Sequence, residues 1–293
     1  MKNILLAFTG FLTIVSFTSH AANYKRDDAV CFPMSKIKYE AGVKSASGLS
    51  EYDFNQTIDR VHALMSLEIK RRMNKELIFE RKWADGTVDA FATRDDINNP
   101  VIVVHGGLAR HPEMTKDGFA LILCHEVGHH LGGAPKIFRG TSGLRGWSSA
   151  EGQADYFATT KCLPIIFQNY PDTKSYEIDS DATELSAAMN KCRDTACTRT
   201  VLAGLAVSKV FASMVKGTPD PSLLLNDPTK VSVTLYKHPN PQCRLDTYLS
   251  GANCDIGIDV PFDIVDPKVG ACVKDQGYRP ACWFSEDEFV ITK

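Results

Sequence analysis

Between residues 52 and 73 the apolar positions Phe54, Ile58, Val61, Leu64, Met65 and Ile69 recur at three- and four-residue intervals, with polar residues between them. That spacing gathers one apolar stripe on one side and predicts an amphipathic helix packed on a core. The pattern then shortens. Leu77 to Trp83, Val88 to Thr93 and Pro100 to His105 are runs of strand length, separated by the turn formers Asp85-Gly86 and by Asp95 to Asn99, so three strands are expected. A mostly apolar helix is expected from Lys116 to Leu131, ending at Gly132-Gly133, residues suited to a left-handed helix end. A further helix is expected from near Ser148 to about Cys162, and two more over Glu184 to Asn190 and Val201 to Val215. Beyond Pro219-Asp220-Pro221 the chain turns to Pro, Gly, Asn and Cys, and no regular element is predicted. Helix, then strands, then helices is the order of an α+β protein rather than of alternating βαβ units.

The termini and the cysteines change this picture. Lys2 followed by the apolar run Ile4 to Phe17 and the small residues around Ser19-His20-Ala21 reads as a secretory signal over residues 1–21. The apolar run, about 14 residues, falls short of the ~20 that span a bilayer, so no membrane span is expected in the mature chain. Nine cysteines fit the same exported, oxidising setting, periplasmic or secreted. Cys124, inside the apolar helix, is assigned as the odd thiol. The short separations favour local bridges from Cys243 to Cys254 and from Cys272 to Cys282. The organisation expected is a main domain over 22–242 and a Cys-rich, loop-rich extension over 243–293 packed on it. A formal net charge of -2, with no basic cluster beyond Lys70-Arg71-Arg72, argues against a nucleic-acid partner.

The candidate chemistry sits in His125-Glu126-Val127-Gly128-His129. Two imidazoles four apart on a helix share one face and can hold one metal, while a glutamate next to the first can take a proton from a water that the metal activates. A catalytic zinc needs a third protein ligand. The extended pattern with a third histidine fails, because its last position is Pro135. Glu151 at the start of the next helix is the alternative, with Asp155 four residues on and placed to accept a hydrogen bond from a ligand histidine. Ser148-x-x-Glu151 also spells a helix capping box, which competes for the same carboxylate. His130 points about 100° away from His129 and reads as a surface or neighbouring group rather than a ligand. Val101 to Gly107, closed by His105, looks like a sheet-edge strand able to hold an extended peptide.

Taken in order, these pieces resemble the HtpX-like and CAAX-prenyl-protease-like gluzincins, family forty-eight of the metallopeptidases. Val88-Asp89-Ala90-Phe91-Ala92 resembles the family's Asn-Ala-x-Ala strand, with Asp89 where Asn is usual. Val101 to Leu108 resembles its edge strand, His125 to His129 its metal helix, and Glu151-x-x-Ala154-Asp155 its third-ligand helix. His238-Pro239 with Arg244 six residues on resembles its His-Pro motif, which implies a role for His238 at the oxyanion or as a cap on the metal, supported by Arg244. The likeness spans about Tyr52 to Arg244 and implies an α+β zincin-like fold with a small mixed sheet and one Zn2+ per chain. It departs in the short gap before Glu151, the missing membrane helices and the Cys-rich tail. The expected function is hydrolysis of peptide bonds in proteins or peptides of the cell envelope or exterior. The alternatives are a non-catalytic zinc-containing factor that binds misfolded or nascent proteins, and a purely structural zinc site closed by a fourth ligand such as His238.

Overall fold

The computed structural model describes residues 36–42, 48–138, 145–171, 181–273 and 275–289. The signal segment and Cys31 lie outside the described residues. The first helix, α1 (Glu51–Met73), opens on a complete capping box between Ser50 and Asp53, and its buried stripe is Phe54, Ile58, Val61, Met65 and Ile69. Three strands follow: β1 (Ile78–Lys82), β2 (Ala90–Arg94) and β3 (Pro100–His105), then a single turn of helix, α2 (Gly106–Ala109). The buried helix α3 (Lys116–Leu131) starts at Thr115, whose side chain accepts from the Gly118 amide. The chain leaves α3 through Gly133 at φ +71°, a conformation that favours glycine.

The sheet order is β1-β3-β2, with β3 parallel to β1 and antiparallel to β2. This corrects the edge assignment for Val101 to Gly107. All of Val101 to Val104 are buried, and an unbroken apolar run marks a strand covered on both faces, which belongs inside a sheet. Among the described residues the edge strands are β1 and β2, and β2 is buried over Ala90 to Thr93.

The expected helix from Ser148 is also corrected. Lys136–Phe138 (β4) and Arg145–Ser149 (β5) form an antiparallel hairpin that returns the chain to α3. Only at Glu151 does helix α4 (Glu151–Phe157) begin, continuing through a π-helical turn (Ala158–Cys162) into α5 (Leu163–Asn169). Gly128 lets α3 and α4 meet, since a Cβ there would stand 2.8 Å from the Ala154 carbonyl oxygen. Helices α6 (Ala182–Lys191) and α7 (Thr195–Met214) follow, and Arg199 of α7 grips Asp117 in the first turn of α3 at 2.6 and 2.7 Å. The last helix, α8 (Pro241–Asn253), runs across the 242/243 division.

The segment after α8 packs on α4. Tyr156 donates to the Gly277 carbonyl at 2.6 Å, Arg279 donates to Gln153 at 2.7 Å, and Trp283 is fully buried against Gly152.

Four disulfides join Cys124–Cys162, Cys192–Cys197, Cys243–Cys282 and Cys254–Cys272. Cys124 is therefore paired, not the odd thiol, because it faces the π-helical turn at a Cα separation of 5.6 Å. The two local bridges expected in the tail are replaced by crossings between α8 and the tail. Cys243 and Cys254 mark the two ends of one helix, roughly 16 Å apart at 1.5 Å per residue, well beyond disulfide reach. Four bridges are the chemistry of an oxidising, exported setting, and among the described residues no helix is long and apolar enough to cross a membrane.

Candidate metal centre

His125 and His129 stand one turn apart on α3, and both are fully buried, as are Glu126 between them and Asp155 on α4. Each ligand candidate is held from behind. His125 Nδ1 lies 2.7 Å from Asp155 Oδ1, and His129 Nδ1 lies 3.0 Å from the Ser149 carbonyl oxygen and 3.0 Å from Ser148 Oγ. A carboxylate and a carbonyl can only accept, so each Nδ1 carries the proton and each Nε2 presents a lone pair. Both lone pairs face Glu151: Nε2 of His125 is 3.3 Å from Oε2, and Nε2 of His129 is 3.6 Å from Oε1.

Three acceptors converging in a dry pocket repel one another unless a cation lies between them. The spacing fits one. A tetrahedral ion with bonds of ~2.0–2.1 Å spaces its ligand atoms roughly 3.4 Å apart. His129 Nε2 and Glu151 Oε2 are buried without a hydrogen-bond partner among the described residues. The group His125, His129 and Glu151 could hold a metal ion.

The competing capping role of Glu151 does not form. The residue before α4 is Ala150, without a side-chain cap, and Ser148 lies in β5 with its hydroxyl turned to His129. Burial raises the pKa of Glu151, and only positive charge around it, on His129, His125 and His238, outweighs burial and holds it far below the usual carboxylate range. Burial pushes His129 down to about 4, which keeps its imidazole neutral, the form that ligates metal.

Asp155 is lowered too, burial being outweighed by Arg244 and His125. Arg244 Nη2 donates to Asp155 Oδ1 at 2.6 Å, and Tyr248 OH donates to the same oxygen at 2.9 Å. Arg244 is itself fully buried, with its guanidinium 3.8 Å from the ring centroid of Phe211. His238, on the loop before α8, brings Nε2 to 3.6 Å from Glu151 Oε2 and keeps 31% of its side chain exposed. The structure thus gathers His125, His129, Glu151, Asp155, His238 and Arg244 in one place, with Glu126 buried beside the first histidine.

No family model, curated protein or solved structure matches the chain. The centre therefore rests on its own geometry. Sequence reasoning missed Ser148, Ser149 and Tyr248. Tyr248 is four residues beyond Arg244, on the same helical face, and would follow from recognising α8. Its signals are present, since Asn240 accepts from the Cys243 amide as the N-cap and Pro241 occupies the first turn. The other histidines serve elsewhere. His105 packs at the end of β3 with Nδ1 3.2 Å from the Asp89 carbonyl oxygen, and His130 is buried flat against Trp147 rather than on the surface.

Proposed function

We propose that this chain is a zinc-dependent endopeptidase of the gluzincin type, acting on proteins or peptides in the periplasm or outside the cell. The observation that carries the reading is the convergence of His125, His129 and Glu151 with both Nδ1 protons committed elsewhere. Two neutral imidazoles, one carboxylate and an adjacent glutamate are the donor set of hydrolytic zinc. Zinc bound there would acidify a water and polarise the scissile carbonyl.

The chain's own residues do the rest. Glu126 takes the proton from the attacking water and delivers it to the departing amine. Asp155, braced by Arg244 and Tyr248, keeps the His125 ring in register. His238, part-exposed at the mouth, donates to the developing oxyanion.

The proximity of His238 to Glu151 supports a second reading, a closed structural site in which His238 is a permanent fourth ligand. The two readings separate on chelation and reconstitution. Purified protein is expected to carry one zinc, to lose casein and peptide cleavage on chelation, and to regain it with stoichiometric zinc. A structural site would lose its fold on chelation and show no cleavage at any zinc occupancy.

A further inference from the structure

The tail after α8 reaches back to both helices of the metal centre. Helix α4 opens at Glu151 with no side-chain cap, so tertiary contacts rather than its own first turn hold its start in place. Gln153, fully buried on that first turn, bridges the two ligand helices. Its Nε2 donates at 2.6 Å to the carbonyl oxygen of Gly132, the C-cap of α3, one of the carbonyls that a helix end leaves without an intrahelical donor. The other end of the same amide faces the tail. Arg279 Nε donates to Gln153 Oε1 at 2.7 Å, and the fully buried guanidinium stands 4.9 Å from the ring centroids of Tyr156 and Phe284.

A guanidinium can only donate, so beside Arg279 the Gln153 amide must turn Oε1 toward the tail and Nε2 toward Gly132. Arg279 thereby orients the bridge between α3 and α4. Trp283 lies next to it. Its indole is fully buried against Gly152, the neighbour of Glu151, where a Cβ would stand 2.3 Å from Cδ2. Earlier in the tail, the Asp263 carbonyl oxygen accepts from the Ala134 amide at 2.8 Å, where the chain leaves α3. Two disulfides, Cys243–Cys282 and Cys254–Cys272, fasten the tail to the ends of α8. The first of them joins the residue beside Arg244, which braces Asp155, to the residue beside Trp283.

Resting on the metal-binding part of the peptidase reading, we propose that the Cys-rich tail is a wall of the metal centre rather than an appendage. Arg279, acting through Gln153, is a positioning residue that sets Glu151 against His129. Glu151 stands two residues before Gln153, and Gly132 three residues after His129. The Gln153 bridge therefore fixes the two ligands relative to one another, with Glu151 Oε1 3.6 Å from His129 Nε2. Arg244 and Tyr248 do the matching task for His125 through Asp155. Zinc–ligand distances hold to about ±0.2 Å, so small displacements of an uncapped helix start weaken binding. The tail prevents them by holding α4 before any metal arrives.

The test uses the full mature chain with its disulfides formed, and two readouts that do not depend on cleavage. These are zinc affinity in competition with a chromophoric chelator, and the visible absorption of the Co2+-substituted protein, which reports ligand geometry. Arg279→Met and Gln153→Met are each expected to weaken zinc binding by about 10-fold or more and to change the Co2+ bands. The double variant should be no weaker than either single one, because both act on one bridge. Arg279→Lys, which keeps a donor for Gln153, should recover most of the affinity. The control is Arg199→Met, which removes the partner of Asp117 at the far end of α3. It should lower stability and leave zinc affinity and the Co2+ bands unchanged. If Arg279→Met does not fold, Gln153→Met carries the comparison. Folded Arg279→Met or Gln153→Met protein with wild-type zinc affinity and Co2+ bands overturns the proposal, as do losses that add in the double variant or an equal loss in Arg199→Met. If the tail variants lose zinc while the zinc-loaded wild type cleaves nothing, the peptidase reading falls and the role of the tail stands. A wild type that cleaves, beside tail variants that bind zinc as it does, gives the reverse.

Discussion

His129 and His130 are neighbours on one helix, both buried, yet their environments differ in kind. Around His129 every polar group answers another: Ser149 and Ser148 on its Nδ1, Glu151 before its Nε2, and beyond that Asp155 held by His125, Arg244 and Tyr248. Around His130 there is an aromatic plane, two cations and open volume. The first environment fixes protonation and ring orientation before anything binds, which suits a metal centre. The second sets an aromatic plane and two cationic side chains against open volume, which does not fix the ring for a metal. Helical geometry alone assigns the difference, because one residue's step turns a side chain by about 100° into another neighbourhood.

The contrast breaks most clearly at the two arginines. Arg244→Met would leave the Asp155 carboxylate buried without its cation, and a loss of ~3–5 kcal/mol in stability is expected by urea denaturation. Arg94→Met, where a half-buried guanidinium lies 4.8 Å from the Trp147 ring centroid, should cost less, about 1 kcal/mol. Similar costs at both sites would mean that the two environments are not different. Next in size is metal removal. Chelation should lower the stability of the wild type by ~3 kcal/mol or more relative to protein with zinc 100-fold above its dissociation constant. Glu151→Ala should show no such shift on chelation, whereas Lys136→Met should retain all of it. Smaller again, Tyr248→Phe removes one donor to Asp155 and should weaken zinc binding by about 10-fold or more in competition with a chromophoric chelator.

The smallest effect concerns acid. Burial lowers His111 to about 4, while the same imidazole in the unfolded chain titrates near 6.5. The unfolded state therefore binds the extra proton first, and the stability contributed by the neutral ring is lost as pH falls from about 6.5 toward 4. The urea midpoint should fall over that window, and His111→Gln should flatten the decline without altering zinc content.

Helices α1 and α3 were legible in the sequence because a stripe and an unbroken apolar block each have one folded interpretation. The three strands were legible from length and turn residues, but their order was not. A run such as Val101 to Val104 states how buried a strand is and not which strands flank it. Within the centre, His125, Glu126 and His129 were fixed by spacing on one helix, and Glu151 and Asp155 by spacing on another. Ser148 reads as helical because its capping-box spelling is local, whereas its place in β5 comes from pairing across the hairpin to β4. Tyr248 was invisible because Pro, Cys and Gly around α8 masked a helix that Asn240 and Pro241 announce. The disulfides are illegible for the same reason: closeness along the chain is not closeness in space once a helix separates two cysteines.

Hydrolysis at a zinc-loaded centre depends on Glu126 as the base. Its most direct test is product formation from a broad peptide library, read by mass spectrometry, with wild type and Glu126→Gln each brought to one zinc per chain. Cleavage by the wild type and a fall of about 10²–10⁴-fold in the zinc-replete Glu126→Gln is the result expected. A zinc-loaded wild type that cleaves nothing, or a Glu126→Gln protein that cleaves as fast, would contradict it.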